Sequence, residues 1–142
     1  MLKNFFKKNK EEEYYNYNNI MIAALLVHAA RMDENYTEVE RKIITRALND
    51  LTNLPKENIE KIISLAEKKE RESNQIIEFT KAIKKNVTEF RFKIIELLWR
   101  IIYSDGVADQ YEKNLIRRVC GLLYISDKDN GIIKLKVQKE IK

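Results

Sequence analysis

The sequence predicts an all-α fold, a single domain of about seven helices. Three observations carry that prediction. The 142 residues contain only 3 Gly and 1 Pro, too few turn-formers for a chain of many short strands. Apolar residues recur at three- and four-residue spacing in successive stretches, and no stretch alternates as a strand would. Apolar residues make up 44% and charged residues 35%, the balance expected of amphipathic helices with strongly solvated outer faces.

The elements follow in order. Residues 1–13 form a tail, with Leu2, Phe5 and Phe6 among lysines and then Glu11, Glu12 and Glu13. That composition suits a solvated end, or a peripheral contact with a membrane surface through residues 1–10. The helical domain occupies residues 14–142. The first helix is expected from Tyr15 to Met32, with Ile22, Leu25, Leu26 and Ala29 at helical spacing. A second, Glu38 to Thr52, places Val39, Ile43, Ile44, Ala47, Leu48 and Leu51 on one face. Pro55 suits the first turn of a third, which carries Ile59, Ile62, Ile63 and Ala66 to about Lys69. A fourth runs from Ser73 to Lys85 with Ile76, Ile77, Phe79 and Ile83. The fifth, Glu89 to Ser104, is the most apolar and is expected to be the central, most buried helix. The sixth, Gln110 to Tyr124, buries Leu115, Ile116, Val119, Leu122 and Leu123. The seventh starts after Ser126 and carries Ile132, Ile133, Leu135 and Val137.

The chain repeats itself. At the 72-residue offset that carries Asp33 onto Asp105, Leu25 and Leu26 fall on Leu97 and Leu98, Glu40 on Glu112, Ile44 on Ile116 and Leu51 on Leu123. With one extra residue in the first copy, Leu54 then matches Ile125 and Pro55 matches Ser126. The expected architecture is therefore two pseudo-symmetric three-helix units, about residues 20–70 and 92–142, joined by a linking fourth helix.

Each copy has an acidic turn between its first two helices: "MDENYTEVE" and "SDGVADQYE". Asp109 with Glu112, and Thr37 with Glu40, fit a capping box, in which the cap side chain and the third helical residue bond each other's amides. Gly106 fits the left-handed residue that ends a helix. Capping does not account for Asp33 and Asp105, which face the negative end of a helix dipole. The alternative is a divalent-cation site for Ca²⁺, Mn²⁺ or Mg²⁺, with Asp105, Asp109 and Glu112 as oxygen ligands in one copy and Asp33 and Glu40 in the other. Thr37, in place of the middle acid, weakens the first copy for that role. The spacing is not that of an EF-hand loop.

A Leu- and Ala-rich helix, then the D-G-x-x-D-x-x-E turn, then "LIRRVCGLLYIS" resembles the tellurite-resistance TerB family. The same stretch is similar to the N-terminal domain of DnaJ-like membrane co-chaperones of the DjlA type. The resemblance covers about residues 20–135 and is carried best by "LLWRIIYSDGVADQYEKNLIRRVCGLLYISDKD". It implies an all-helical domain of about seven helices, a place in stress-response or membrane-linked complexes, and metal binding at the acidic turns.

Other chemistry finds little support. The net charge of +5 is modest, with lysines and glutamates mixed along the chain, and no nucleic-acid partner is expected. The single Cys excludes an intramolecular disulfide, and the apolar run "IMIAALLV" is too short to cross a bilayer, so a cytoplasmic place is expected. His28 stands at the position matched by Arg100 and has no cysteine near it to build a zinc set. Cys120 reads as a small core residue, and Trp99 as core packing. No phosphate-binding or dinucleotide motif is present. No enzyme is expected. Two functions stay in play: a helical module that docks protein partners, and a domain that binds or senses a divalent cation.

Overall fold

The computed structural model describes residues 17–32, 36–73, 75–105 and 108–141. Among the described residues seven helices follow one another: α1 over residues 17–30, α2 Glu38–Thr52, α3 Lys56–Glu72, α4 Ile76–Lys84, α5 Thr88–Ile102, α6 Gln110–Leu122 and α7 Asp127–Ile141. A 3₁₀ turn, Tyr103–Asp105, extends α5. No strand occurs among the described residues, so the all-α expectation holds.

Two helices, not one, form the centre. In α5 every residue from Ile94 to Trp99 is buried, followed by Ile101 and Ile102. In α1, Met21 to Val27 are buried without interruption, then Ala29 and Ala30. A helix apolar on all sides belongs inside a bundle. Ala23, Ala24, Ala29 and Ala30 of α1 are part of this core, a contribution that a search for large apolar residues undervalues. Each fully buried Leu or Ile here contributes about 1.5–3 kcal/mol from the water it leaves. The other helices bury one stripe each: Ile44, Ala47 and Leu48 on α2, Ile59, Ile62, Ile63 and Ala66 on α3, and Leu115, Ile116 and Val119 on α6. Trp99, as expected, is core; its indole N–H donates to Asn130 Oδ1 at 2.9 Å and its ring stacks on Tyr103.

Several boundaries and faces differ from the sequence reading. Pro55 takes the cap position just before α3 rather than its first turn, and α3 runs on to Glu72. Ser73 is extended, so α4 begins three residues later, at Ile76. Leu51 and Leu122 are only partly buried, while Val39, Ile77, Ile132 and Leu135 are exposed. Residues 1–16, Asp33, Glu34, Asn35 and Gly106 lie outside the described residues, and with them the expected tail, the start of the first helix and the left-handed glycine.

Helix punctuation repeats along the chain. α2 and α6 start 72 residues apart, at Glu38 and Gln110, and α3 and α7 start 71 apart, at Lys56 and Asp127. Among the described residues, the non-glycine residues with positive φ are Asn53 at 56° and Tyr124 at 59°; they are likewise 71 apart and stand at the ends of α2 and α6. At Tyr124 the turn closes as a Schellman motif: the Ile125 amide donates to the Cys120 carbonyl at 2.9 Å.

Ion pairs join α1 to α3 and α5 to α7. Glu70 of α3 is buried and meets His28 Nδ1 at 3.1 Å and Arg31 Nε at 3.2 Å, both at the α1 end. Arg100 of α5 bonds Glu140 of α7 at 2.8 Å and Glu96 at 3.1 Å. Lys136 of α7 reaches the same Glu96 at 2.8 Å.

Candidate functional site

The acidic turns build their caps as the sequence implies. In the second, the Glu112 amide donates to Asp109 Oδ1 at 2.8 Å and the Asp109 amide donates to Glu112 Oε1 at 3.1 Å. In the first, the Glu40 amide donates to Thr37 Oγ1 at 3.2 Å, and Glu40 Oε1 accepts from both the Thr37 amide and its hydroxyl at 3.0 Å. Both glutamates are buried, Glu112 at 4% exposure and Glu40 at 6%, and these hydrogen bonds let a charged residue stand on the inner face of a helix start. Asp109 is exposed.

Of the five carboxylates considered as cation ligands, Asp109, Glu112 and Glu40 are therefore engaged in caps. Asp33 lies outside the described residues, as does the side chain of Asp105, whose backbone closes the 3₁₀ turn. Among the described residues no group of three His, Cys, Asp or Glu is arranged to hold a metal ion. Arg31 lies over the Tyr36 ring at 5.2 Å, and Arg41 pairs with Glu60 at 3.1 Å and Glu67 at 3.6 Å.

The chain has few reactive groups. Cys120 is buried, and burial, with the Asp127 charge, pushes its thiol up to about 12. Arg117 and Arg118, close to it in sequence, are exposed to solvent. His28 is tied to Glu70.

One surface feature among the described residues is not anticipated from the sequence. A groove of about 560 Å³ runs between α2, α5 and the end of α7. Its floor is apolar, made by Val39, Ile43 and Ala47 of α2, Leu97 of α5, Tyr103, and Ile141 of α7. Its rim carries Lys42, Arg46, Lys93 and Arg100, with Asp50 and Glu140. Val39 is 60% exposed and Ile141 49%, so the floor opens to water. The signal for it lies in the helical phase of α2. Glu40, Ile44, Ala47 and Leu48 take the inner stripe, which turns Val39 outward and leaves Ile43 at its edge. Reading Val39 as core misses this, because a glutamate is not expected to displace a valine from the buried side.

The family comparison agrees with the fold. The family model described as "Tellurite resistance protein TerB" matches residues 19–135, from the third residue of α1 far into α7. The chain belongs to the TerB family. The match spans both acidic turns and every groove residue except Glu140 and Ile141. Comparison with curated proteins and with solved structures finds no match. Among the described residues no helix of this TerB-family chain is long and apolar enough to cross a membrane.

Proposed function

We propose that this TerB-family domain is a non-enzymatic helical interaction module. It docks a segment of another protein in the groove between α2, α5 and α7. The observation that carries the reading is that groove: a solvent-open apolar floor with a charged rim, on helices fixed by the central core. Apolar side chains left in water on a rigid scaffold favour a partner that covers them. The non-enzymatic part of the proposal is supported by the unreactive state of Cys120 and the engagement of His28 by Glu70. The family's description supports a stress-response setting. A cytoplasmic protein complex, with or without membrane contact through residues 1–10, fits that setting, and no nucleic acid is assigned as partner.

Site-specific photo-crosslinking in cells tests the reading. A photoreactive residue replaces Val39 in the groove or Glu57 on the exposed side of α3. Defined protein adducts from position 39 that are missing from position 57 are expected. The same adducts from both positions would remove the groove from consideration.

A further inference from the structure

The two sides of the groove differ in how their charges are used. On the α5 side, Lys93 is paired with Glu96 at 3.2 Å, and Arg100 with Glu96 and Glu140. On the α2 side, Lys42 and Arg46 are exposed, and neither forms an ion pair among the described residues. They stand one helical turn apart, about 6 Å along the axis. Beside them lie the exposed Val39 and the half-buried Ile43. Glu140, one of two acids on the rim, is already neutralised by Arg100; the other, Asp50, sits a further turn along α2.

We infer that the segment docked in this groove is an acidic amphipathic helix: its apolar side chains enter the floor between Val39, Ile43 and Leu97, and two carboxylates one turn apart meet Lys42 and Arg46. This deepens the docking role proposed above and rests on it. Charge complementarity and shape together favour such a helix. A helix laid in a groove presents apolar anchors at three- and four-residue spacing and has flanking positions at the same rise of about 6 Å, so a pair of acids matches the Lys42–Arg46 pair in register. The concave floor accepts projecting side chains, which a flat headgroup layer does not supply. Uncommitted rim charges raise the association rate and reject partners of like charge.

The test uses three fluorescein-labelled synthetic helices of about 16 residues, roughly four turns, with the same leucine stripe flanked by Glu, Gln or Lys. Anisotropy is read with wild type, with Lys42→Gln/Arg46→Gln and with Val39→Asp, each checked by circular dichroism. All three substituted residues are exposed, so the fold is retained. The Glu helix is expected to bind wild type at least about tenfold tighter than the Lys helix. That preference should collapse in Lys42→Gln/Arg46→Gln and weaken as salt is raised. Equal binding of all three helices, lost in Val39→Asp, would overturn the acidic partner and leave the docking role standing. No binding, or binding indifferent to Val39→Asp, would overturn both. Capture by phosphatidylglycerol vesicles that Lys42→Gln/Arg46→Gln abolishes, with no helix bound, would assign the rim to a lipid surface and overturn the inference.

Discussion

Asp109 and Glu112 hold each other: each carboxylate accepts the other's backbone amide, at 2.8 and 3.1 Å, and the pair starts α6. Thr37 and Glu40 do the same for α2, with a hydroxyl in place of the first carboxylate. The exchange satisfies amides that the helix itself leaves without partners, and it lets a glutamate be buried.

Removing the cap should therefore be felt in stability. Asp109→Ala and Thr37→Ala are each expected to cost about 0.5–2 kcal/mol. Asp109→Asn should cost less, because its side-chain oxygen still accepts the Glu112 amide. Urea unfolding followed by circular dichroism measures all three. Equal losses for Asp109→Ala and Asp109→Asn would mean that charge, not the cap bond, holds the turn.

Asp105 separates cap from cation, because Asp109 and Glu112 are already accounted for. It ends the 3₁₀ turn after α5, near the negative end of that helix. Asp105→Asn should hold or raise stability by about a few tenths of a kcal/mol. Wild type should unfold at the same temperature in chelator and in millimolar Ca²⁺ or Mn²⁺. A bound ion at about a hundred times its dissociation constant would add about 2.7 kcal/mol. A rise of several degrees with ion, absent in Asp105→Asn, would establish the cation site instead.

Leu98 tests the centre of the domain. It is fully buried on α5, at the position that the repeat pairs with Leu26 on α1. Leu98→Ala should cost about 2–5 kcal/mol, through lost burial and the cavity left behind. The surface change Leu65→Ala, at a side chain 42% exposed, should cost far less. Thermal unfolding of the two variants makes the comparison. Similar losses would show that α5 is not the packing centre.

Tyr124 is an unusual residue for the place it holds. Its φ of 59° is natural for glycine and costs a side-chain-bearing residue about 1 kcal/mol or more. Its ring is 71% exposed and gains little from burial. Lys84 Nζ lies 5.0 Å from the ring centroid, a contact worth about 0.5–1 kcal/mol at an exposed site. Tyr124→Gly should then leave stability unchanged or raise it by about 0.5 kcal/mol. A clear loss would show that the Lys84 contact outweighs the backbone strain. Asn53 has the same backbone shape, and asparagine tolerates it.

Helix order, caps and most of the core are legible in the sequence because they follow from local rules: spacing, a capping box, one proline. Leu25, Leu97, Ile44, Ile116 and Val119 read as core from periodicity, and they are core. What periodicity hides is charge that folding takes inside. Glu40, Glu70, Glu96 and Glu112 are all buried, each matched by a partner. The partners of Glu70 lie about forty residues away, so no local window shows them. Burying Glu40 also turns Val39 outward and opens the groove. That site is invisible in the sequence because it is formed by three helices that meet only in the fold.

Glu96 offers a test by pH. It is buried on α5 and accepts from Lys136, Arg100 and Lys93 at 2.8, 3.1 and 3.2 Å. Burial alone would raise its carboxyl, but hydrogen bonds from Lys136 and Lys93 and the charges of Lys93 and Arg100 outweigh it, so the pKa falls below the ordinary 4.5. A group lowered on folding contributes stability above its unfolded value, and that stability is lost as pH drops through the folded value. The Glu96 contribution should therefore be complete at neutral pH and disappear below the ordinary carboxylate range. Glu96→Gln should cost about 1–3 kcal/mol at neutral pH, because three cations lose a charged acceptor that ties α7 to α5. The gap between wild type and Glu96→Gln should close as pH falls through the carboxylate range. Thermal unfolding of both proteins from about pH 7 to about pH 2.5 supplies the curve. A gap that stays constant over that range would mean that the glutamine side chain disturbs packing, and that the charge of Glu96 does not hold α7 in place.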